Sequence, residues 1–146
     1  GGAGGAIACA IAAEQPRLMR IHDLNPDRCT HIQSCIQRIS PQTKVEVGTP
    51  TIDHMDILIN ATPVGMLNDS RLPILLDHLP KELVVFDAIV MPEMTPLLHL
   101  AKACGCTLVQ GREMMLGQIP RLVDGFLNPD AVGASASTEG KTKRSM

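Results

Sequence analysis

Aromatic side chains are almost absent from this chain, which has two Phe, no Trp and no Tyr. Sites for single-stranded nucleic acid rely on such side chains to stack bases. The 13 basic and 15 acidic residues also leave a net charge of -2 rather than a basic surface. Nucleic acid is therefore not an expected partner, and the core must be built from Ile, Leu, Val, Met and Ala.

Apolar runs long enough to cross a membrane are also missing. None reaches the roughly 18 residues that a membrane-spanning helix requires, so a membrane is not an expected partner. The 146 residues, 45% of them hydrophobic, suffice for one folded domain with its own core.

A CxxC pair is absent too, and the cysteine count of five is odd. This usage is typical of reduced thiols, so we expect a cytoplasmic protein. Cys29, His31 and Cys35 lie close enough in sequence to suggest a metal site, but no second pair of ligands follows elsewhere. We interpret them as partly buried helix residues and expect no bound metal.

Apolar runs alternate with helical patterns along the chain, which is typical of a parallel sheet wrapped by helices. The predicted fold class is α/β, a Rossmann-like doubly wound parallel sheet in three α/β/α layers. Strands are predicted at 17–24, 44–47, 56–60, 83–90 and 107–109, and helices at 4–14, 25–39, 95–103 and 112–127. Pro120 should kink the last helix. The predicted domain spans 1–127, and the low-complexity segment 128–146 is expected to be a disordered tail.

A glycine-rich segment, Gly2-Ala3-Gly4-Gly5-Ala6, lies at the start of the sequence. Such a turn joins the first strand of a dinucleotide-binding domain to its first helix. Gly2 would permit a tight turn, and Gly4 would let the backbone approach a pyrophosphate at the helix amino terminus. The segment lacks a basic start and fits a cofactor loop better than a signal peptide. Flexible glycine at a chain end is the alternative interpretation.

Asp23 strengthens the cofactor interpretation because it falls 21 residues after Gly2, at the end of the strand predicted at 17–24. A carboxylate there accepts hydrogen bonds from adenosine ribose hydroxyls and repels a 2′-phosphate. NAD is therefore the expected cofactor. NADP stays open because Arg28 could pair with a phosphate, and Asp23 could instead cap the helix that follows.

The strand that should precede the glycine turn is missing from the sequence. In a doubly wound sheet of order 3-2-1-4-5-6 that first strand is central. Without it, the strands at 17–24 and 56–60 lose their shared neighbour and expose unpaired backbone groups. We therefore expect an upstream segment to supply at least that strand in the native protein.

Three later segments carry a more specific pattern: residues 56–66, 86–98 and 111–118. Together with the glycine turn they resemble the C-terminal cofactor domain of the shikimate/quinate dehydrogenase family, over residues 1 to about 127. The resemblance implies reversible NAD- or NADP-dependent hydride transfer at a ring hydroxyl of a shikimate- or quinate-type acid. It also implies a small-molecule substrate and is compatible with a homodimer.

The resemblance implies roles for individual residues. The glycine turn would hold the pyrophosphate, and Asp23-Leu24-Asn25 resembles the NAD-preferring branch rather than the Asn-Arg-Thr of NADP-specific members. The nicotinamide side would be formed by Asn60, Ala61, Thr62, Pro63, Ala88, Gly111 and Met114. Gln118 would bind a hydroxyl or carboxylate of the substrate. Val90 lies where the family usually carries a Tyr near the substrate. The substrate could therefore be a different hydroxylated ring acid, such as quinate.

Plainer interpretations exist for several of these residues. Asn60 could be a satisfied turn residue, Thr62-Pro63 a strand terminator, and Gln118 a capping or solvent-facing residue. Met114 could also be core, and Met115 is expected to lie there, since Met side chains commonly fill gaps.

No catalytic residue is assigned in this chain. In the family a Lys–Asp pair from an N-terminal catalytic domain is the general base, and that domain's motifs are not found here. The missing domain is therefore an expected partner, and the chain alone should be inactive. The alternatives are a non-catalytic nucleotide-binding paralogue that acts as a sensor or assembly partner, and a folate-linked methylene dehydrogenase. The motifs around Asn60 and Gly111 argue against the last.

Overall fold

The computed structural model describes residues 2–117, in which parallel strands and helices alternate. The elements are α1 (Gly2–Ala13), β1 (Leu18–Ile21), α2 (Pro26–Ile39), β2 (Lys44–Val47), β3 (Ile57–Asn60), β4 (Val84–Asp87), α3 (Pro96–Ala103) and β5 (Thr107–Gln110). Residues 111–117 are also helical. Every strand pair is parallel, and the predicted Rossmann-like α/β class is confirmed. The rest of the predicted last helix, with Pro120, and the tail 128–146 lie outside the described residues.

The strands form two sheets rather than one. One sheet has the order β1-β2, and the other has the order β3-β4-β5. The division falls between the two strands that were predicted to lose their shared neighbour. A cavity of about 620 Å³ lies there, lined by β1, β3 and the segments beside them. We call this cavity the strand slot, and its walls include Leu18, Arg20, Ile57 and Ile59.

Helix starts follow from local side-chain chemistry. The side chain of Asn25 accepts the backbone N–H of Asp27 at the start of α2, and Thr95 accepts the N–H of Leu98 at the start of α3. In both helices proline occupies the first turn, where a missing N–H costs nothing. The predicted start of α2 is confirmed. By contrast, α1 begins at Gly2, two residues before the predicted start.

Two predicted strands are shorter in the structure, and one is less buried. The prediction of a strand to residue 90 was wrong, because the Asp87 carboxylate accepts the N–H of Ile89 at 3.0 Å and turns the chain out of β4. β1 likewise ends at Ile21 rather than near residue 24. The apolar run at 56–60 is typical of a strand buried on both faces, yet Ile57 is 46% exposed. β3 is an edge strand beside the slot, which explains this exposure.

The hydrophobic core belongs to the three-stranded half of the molecule. It consists of fully buried aliphatic side chains from α3, β4 and the segment before β4, namely Leu79, Leu83, Val85, Leu97, Leu98 and Ala101. The two-stranded half buries other residues, among them Ala12, Cys29 and Ile36. Within residues 2–117 no helix is both long and apolar enough to span a membrane.

Arg20 links the two halves across one end of the slot. Its Nε donates to Glu46 Oε2 at 2.7 Å on the neighbouring strand β2. Its Nη1 donates to Thr51 Oγ1 at 2.9 Å and to the carbonyl of Asp53 at 2.7 Å, in the loop that leads to β3. One side chain therefore ties the first sheet to the entrance of the second.

Glu46 makes this link sensitive to acid. Its hydrogen bonds with Arg20 and Lys44 lower the pKa of the Glu46 carboxyl to about 2. A carboxyl whose pKa is lower in the fold stabilises the fold above its unfolded pKa, and this contribution disappears as pH falls toward the folded pKa. We expect urea denaturation to show stability falling between about pH 5 and pH 2, with a smaller loss in Glu46→Gln. Glu82→Gln, at an exposed position, is the control; an identical acid response in wild type and Glu46→Gln would contradict the assignment.

Candidate functional site

The carboxyl ends of the three parallel strands β3, β4 and β5 lie side by side. Asn60, Asp87 and Gln110, the last residues of these strands, are register partners in a single row. Ala61, Ala88 and Gly111 therefore follow the strands at the same edge of the sheet. The carboxyl edge is where doubly wound sheets bind their ligands.

The amino end of α1 meets this edge. A Cβ built on Gly4 would lie 3.5 Å from Cβ of Ala61, in the turn after β3. The first-turn backbone N–H groups of a helix have no partner within that helix. Together with the helix dipole they form a site that attracts anions. The structure thus brings together the glycine segment and the turn after Asn60, two features far apart in sequence.

The glycine segment differs in one respect from the sequence expectation. Gly2 was assigned a tight turn, but it is the first residue of α1, and none of Gly2, Gly4 and Gly5 has a positive φ. A Cβ on Gly2 or Gly5 would meet nothing within 4 Å, so space is open beside this end of the helix. Ala3 and Ala6 are exposed.

Asn60 shapes the turn after β3 from a buried position, with 2% of its surface exposed. Its Oδ1 accepts the backbone N–H of Thr62 at 3.0 Å and the Thr62 hydroxyl at 2.8 Å. Its Nδ2 donates to the carbonyl of Val64 and to both oxygens of Asp87, each at 3.2 Å. The side chain of Asn60 therefore stabilises the turn from inside. Ala61, Thr62 and Pro63 form the accessible part of the turn.

Asp87, which the sequence reasoning did not single out, is the centre of this edge. It is fully buried, and its carboxylate accepts from Asn60 Nδ2, from the Ile89 backbone N–H at 3.0 Å and from the Thr95 hydroxyl at 2.7 Å. It therefore connects the turn after β3, the turn after β4 and the start of α3. The sequence signal was a polar residue ending each of two neighbouring apolar strands, at matching register.

Gly111 lies against the turn that follows β4. A Cβ on Gly111 would be 2.5 Å from the carbonyl oxygen of Ile89 and 2.6 Å from that of Ala88. Because no real Cβ approaches backbone this closely, only glycine fits. Ala88 and Gly111, both assigned to the nicotinamide end, are thus brought together.

Asp23 and Arg28 lie near each other after β1. The Asp23 carboxylate accepts the N–H of Asn25 at 2.9 Å, and this bond lowers the pKa of Asp23. Arg28 Nη1 lies 4.0 Å from Asp23 Oδ1. A second cavity, of about 570 Å³, lies between α1 and α2, and its walls include Gly2, Gly5 and Arg28. An anionic and a cationic side chain thus stand beside the start of α1.

The residues assigned to the substrate side are only partly described. Val90 and Met114 are half-buried, and Gln118 lies outside the described residues. Met115 was expected in the core, but it is 41% exposed, because the helix at 111–117 directs its neighbour Met114 inward instead. Among residues 2–117 no group of three His, Cys, Asp or Glu side chains is placed to hold a metal ion.

The chain is similar to known proteins in sequence and in fold. No protein-family model matches the chain. A shikimate dehydrogenase (NADP(+)) of Nitrosopumilus maritimus is 30% identical over 125 residues, covering 83% of this chain and 45% of the relative. The chain therefore spans less than half the length of this curated relative.

Two solved structures show the same fold. The quinate dehydrogenase of Corynebacterium glutamicum, in complex with NAD, superposes with a TM-score of 0.73 at 28% identity, over 81% of this chain and 44% of that protein. The ligand-free 5-ketofructose reductase of Gluconobacter sp. strain CHM43 superposes with a TM-score of 0.71 at 32% identity, over 81% and 44%. The resemblance to the shikimate/quinate dehydrogenase family is confirmed over about four-fifths of the chain.

Proposed function

Because this chain is a relative of the shikimate and quinate dehydrogenases, we propose that it is the cofactor-binding part of such an enzyme. The reaction is reversible hydride transfer between a nicotinamide dinucleotide and the carbon that bears a hydroxyl in a shikimate- or quinate-type ring acid. The observation that carries the proposal is the contact of the amino end of α1 with the turn after β3, at the carboxyl edge of the sheet.

The residues at this edge fit a dinucleotide. The pyrophosphate would lie at the first turn of α1, where no residue of Gly2, Ala3, Gly4, Gly5 and Ala6 is larger than alanine and the first backbone N–H groups have no partner within the helix. The open space beside Gly2 and Gly5 is what a bulky anionic group requires. Asp23 would accept the ribose hydroxyls.

The nicotinamide end would lie against the turns that Asn60 and Asp87 hold in place. Ala61, Thr62 and Pro63 would contact its ribose, and Ala88, Gly111 and Met114 would contact the ring. The bound nicotinamide supplies the hydride carrier. The work of this chain is to bind the ring and to fix its orientation, through turns whose buried hydrogen bonds prevent them from shifting.

The remaining half of the enzyme would complete the reaction. Loss of the hydroxyl proton requires a general base, and we assign that base to a catalytic domain outside this chain, consistent with the greater length of the relatives. Val90 and Gln118 would contribute to the substrate side. The similarity to a 5-ketofructose reductase makes a polyhydroxylated ketone the second substrate class to test. A homodimer, a cytoplasmic location and a domain boundary near residue 127 belong to the same proposal.

Thermal melting with each cofactor tests the proposal and the role of Asp23. Ligand that binds only the native state raises stability by about 2.7 kcal/mol at 100 times its dissociation constant. We expect NAD to raise Tm more than NADP does at equal concentration. Asp23→Asn keeps the oxygen that accepts the Asn25 N–H but removes the charge. The substitution should therefore weaken NAD binding and reduce the difference between the Tm rises that NAD and NADP produce.

Two controls make this result specific. Asp77→Asn changes an exposed carboxylate elsewhere and should leave both shifts unchanged, and Arg28→Ala should weaken NADP alone. A larger shift with NADP than with NAD would overturn the role of Asp23 and favour Arg28 as the selecting residue. No shift with either cofactor would contradict the proposal and favour the non-catalytic alternative.

A further inference from the structure

Two reduced cysteines, Cys104 and Cys106, lie at the junction between α3 and β5, and we call them the thiol pair. The backbone N–H of Gly105 bonds to the carbonyl of Lys102 at 3.1 Å, and that of Cys106 bonds to the carbonyl of Ala101 at 3.0 Å. These two hydrogen bonds form a Schellman motif, in which Gly105 adopts a left-handed φ of 79°. α3 therefore ends in a tight bend, with one cysteine on each side of it.

The bend brings the two cysteines close together. A left-handed residue between them leaves the two outer Cα atoms about 5.5 Å apart, since each step along the chain is about 3.8 Å. Disulfides usually join Cα atoms that are about 4.4–6.8 Å apart. The bend at Gly105 is therefore compatible with a bond between the sulfur atoms of Cys104 and Cys106.

Both sulfur atoms face the same short segment before β4. Cys104 Sγ accepts the backbone N–H of Leu79 at 3.4 Å. Cys106 Sγ donates to the carbonyl of Pro80, the next residue, at 3.2 Å. Because consecutive residues bind the two sulfur atoms, the side chains of the thiol pair lie on the same side of the bend. Both are half-buried at the edge of the hydrophobic core, so a small solute can reach them.

The two thiols differ in their surroundings. His78 Nδ1 lies 3.7 Å from Cys104 Sγ, and in the tautomer with its proton on Nε2 this nitrogen can accept the thiol proton. The N–H of Leu79 would then stabilise the thiolate. Burial raises the pKa of the Cys106 thiol, and the neighbouring Cys104 and Glu82 raise it further. Since the thiolate is the nucleophile, Cys104 is the group that attacks first.

We propose that the thiol pair is a redox modification site, at which a small-molecule disulfide oxidises Cys104 and Cys106 to an intramolecular disulfide. His78 accepts the Cys104 proton, and the thiolate attacks one sulfur of the small disulfide. A mixed disulfide forms, and the first small thiol leaves with that proton. Cys106 then loses its proton, attacks Cys104 Sγ and expels the second small thiol. The pair loses two protons and two electrons, and the small disulfide gains them.

This site is remote from the proposed cofactor site. Cys106 immediately precedes β5, whereas Gly111 immediately follows it. The two residues are about 16 Å apart along an extended strand, at opposite edges of the sheet. Oxidation of the thiol pair is therefore separate from hydride transfer and can be tested without a cofactor.

Peptide mass spectrometry tests the proposal on the whole 146-residue chain. The folded protein is incubated with glutathione disulfide, the remaining thiols are alkylated, and the protein is digested with trypsin. Cleavage after Lys102 and Arg112 releases one peptide, 103–112, which holds the thiol pair and no other cysteine. We expect this peptide to escape alkylation and to weigh about 2 Da less than its reduced form, the mass of two hydrogen atoms.

The tryptic peptide 29–38 is the matched control, because it also holds two cysteines, Cys29 and Cys35. Cys29 is buried, so a disulfide in this peptide would report opening of the chain. Disulfide formation in 103–112 should exceed that in 29–38 at least about tenfold. Equal oxidation of the two peptides, or no disulfide in 103–112, would overturn the proposal.

Single variants test the order of attack. Cys106→Ser keeps a donor for the Pro80 carbonyl but cannot close the disulfide, so it should accumulate one glutathione on Cys104. His78→Ala should slow this first step about tenfold, while His99→Ala, at another exposed histidine, should not. Glutathione that accumulates in Cys104→Ser rather than in Cys106→Ser, or an unchanged rate in His78→Ala, would contradict the assigned roles.

Discussion

Gly111→Ala is expected to destabilise the fold by about 3 kcal/mol, the upper end of the usual cost of overpacking. The added Cβ would lie 2.5 Å from the Ile89 carbonyl oxygen and 2.6 Å from that of Ala88. Both obstacles are backbone atoms, and the backbone there is fixed by the bond from the Ile89 N–H to Asp87. Neither side can yield by a rotamer change. The start of the last helix or the turn after β4 must move.

Urea denaturation followed by far-UV circular dichroism measures this loss. Gly117→Ala is the matched control, since Gly117 lies in the same helical segment and its Cβ would meet nothing within 4 Å. That substitution should be neutral, or stabilising by about 0.5–1 kcal/mol because alanine favours helix. Equal stability of the two variants would show that Gly111 does not lie against the 88–89 turn.

A second consequence concerns cofactor affinity. Ala88 and Gly111 both lie at the proposed nicotinamide end. Gly111→Ala should therefore reduce the NAD-dependent rise in Tm, measured against the Tm of the same variant without cofactor. Gly117→Ala should retain the full rise. A Gly111→Ala variant with lower stability but an unchanged rise would confine Gly111 to a packing role.

Asp87→Ala is expected to cost about 3 kcal/mol or more, because leaving buried donors without partners costs about 1–3 kcal/mol for each group. Two donors, the Thr95 hydroxyl and the Ile89 N–H, would lose their acceptor, and Asn60 Nδ2 would keep only the carbonyl of Val64. The substitution also leaves a cavity at a fully buried position. The turns after β3 and β4 would no longer be connected through one side chain.

Asp87→Asn separates the hydrogen bonds from the shape of the side chain. Asparagine preserves the size and one acceptor, but its amide would face Asn60 Nδ2 or Thr95 Oγ1, so we expect an intermediate loss. Asp77→Asn, at an exposed position, should change stability by less than about 0.5 kcal/mol. Chemical denaturation should show that the loss of stability increases in the order Asp77→Asn, Asp87→Asn, Asp87→Ala. An Asp87→Ala protein as stable as wild type would contradict the network.

Much of the fold was accessible from local sequence signals. The bounds of β2 follow from the alternation of Val45 and Val47 with charged residues, and the cap of α2 follows from Asn25-Pro26; both features act within a few residues. The division of the sheet between β1 and β3 agrees with the topology of a doubly wound sheet, in which the second and fourth strands are not neighbours.

The interior of the site was harder to predict, for a physical reason. The early end of β4 depends on a bond from the Asp87 side chain to the backbone two residues later, and a continuous apolar run conceals it. The need for glycine at 111 arises from contact with residues 88 and 89, which no local pattern encodes.

The buried core is distributed unevenly between the two halves of the molecule, so we expect the halves to differ in the free energy at which they open. The buried aliphatic cluster lies in the half that holds β3, β4 and β5, while β1 and β2 have fewer buried side chains around them. Regions with few buried apolar contacts open at lower free energy than the rest of a protein. The Arg20 link to the loop before β3 is polar and exposed, so it adds little resistance to opening. Residues 2–47 can therefore open while the other half stays folded, and the half that opens carries the amino end of α1 and Asp23.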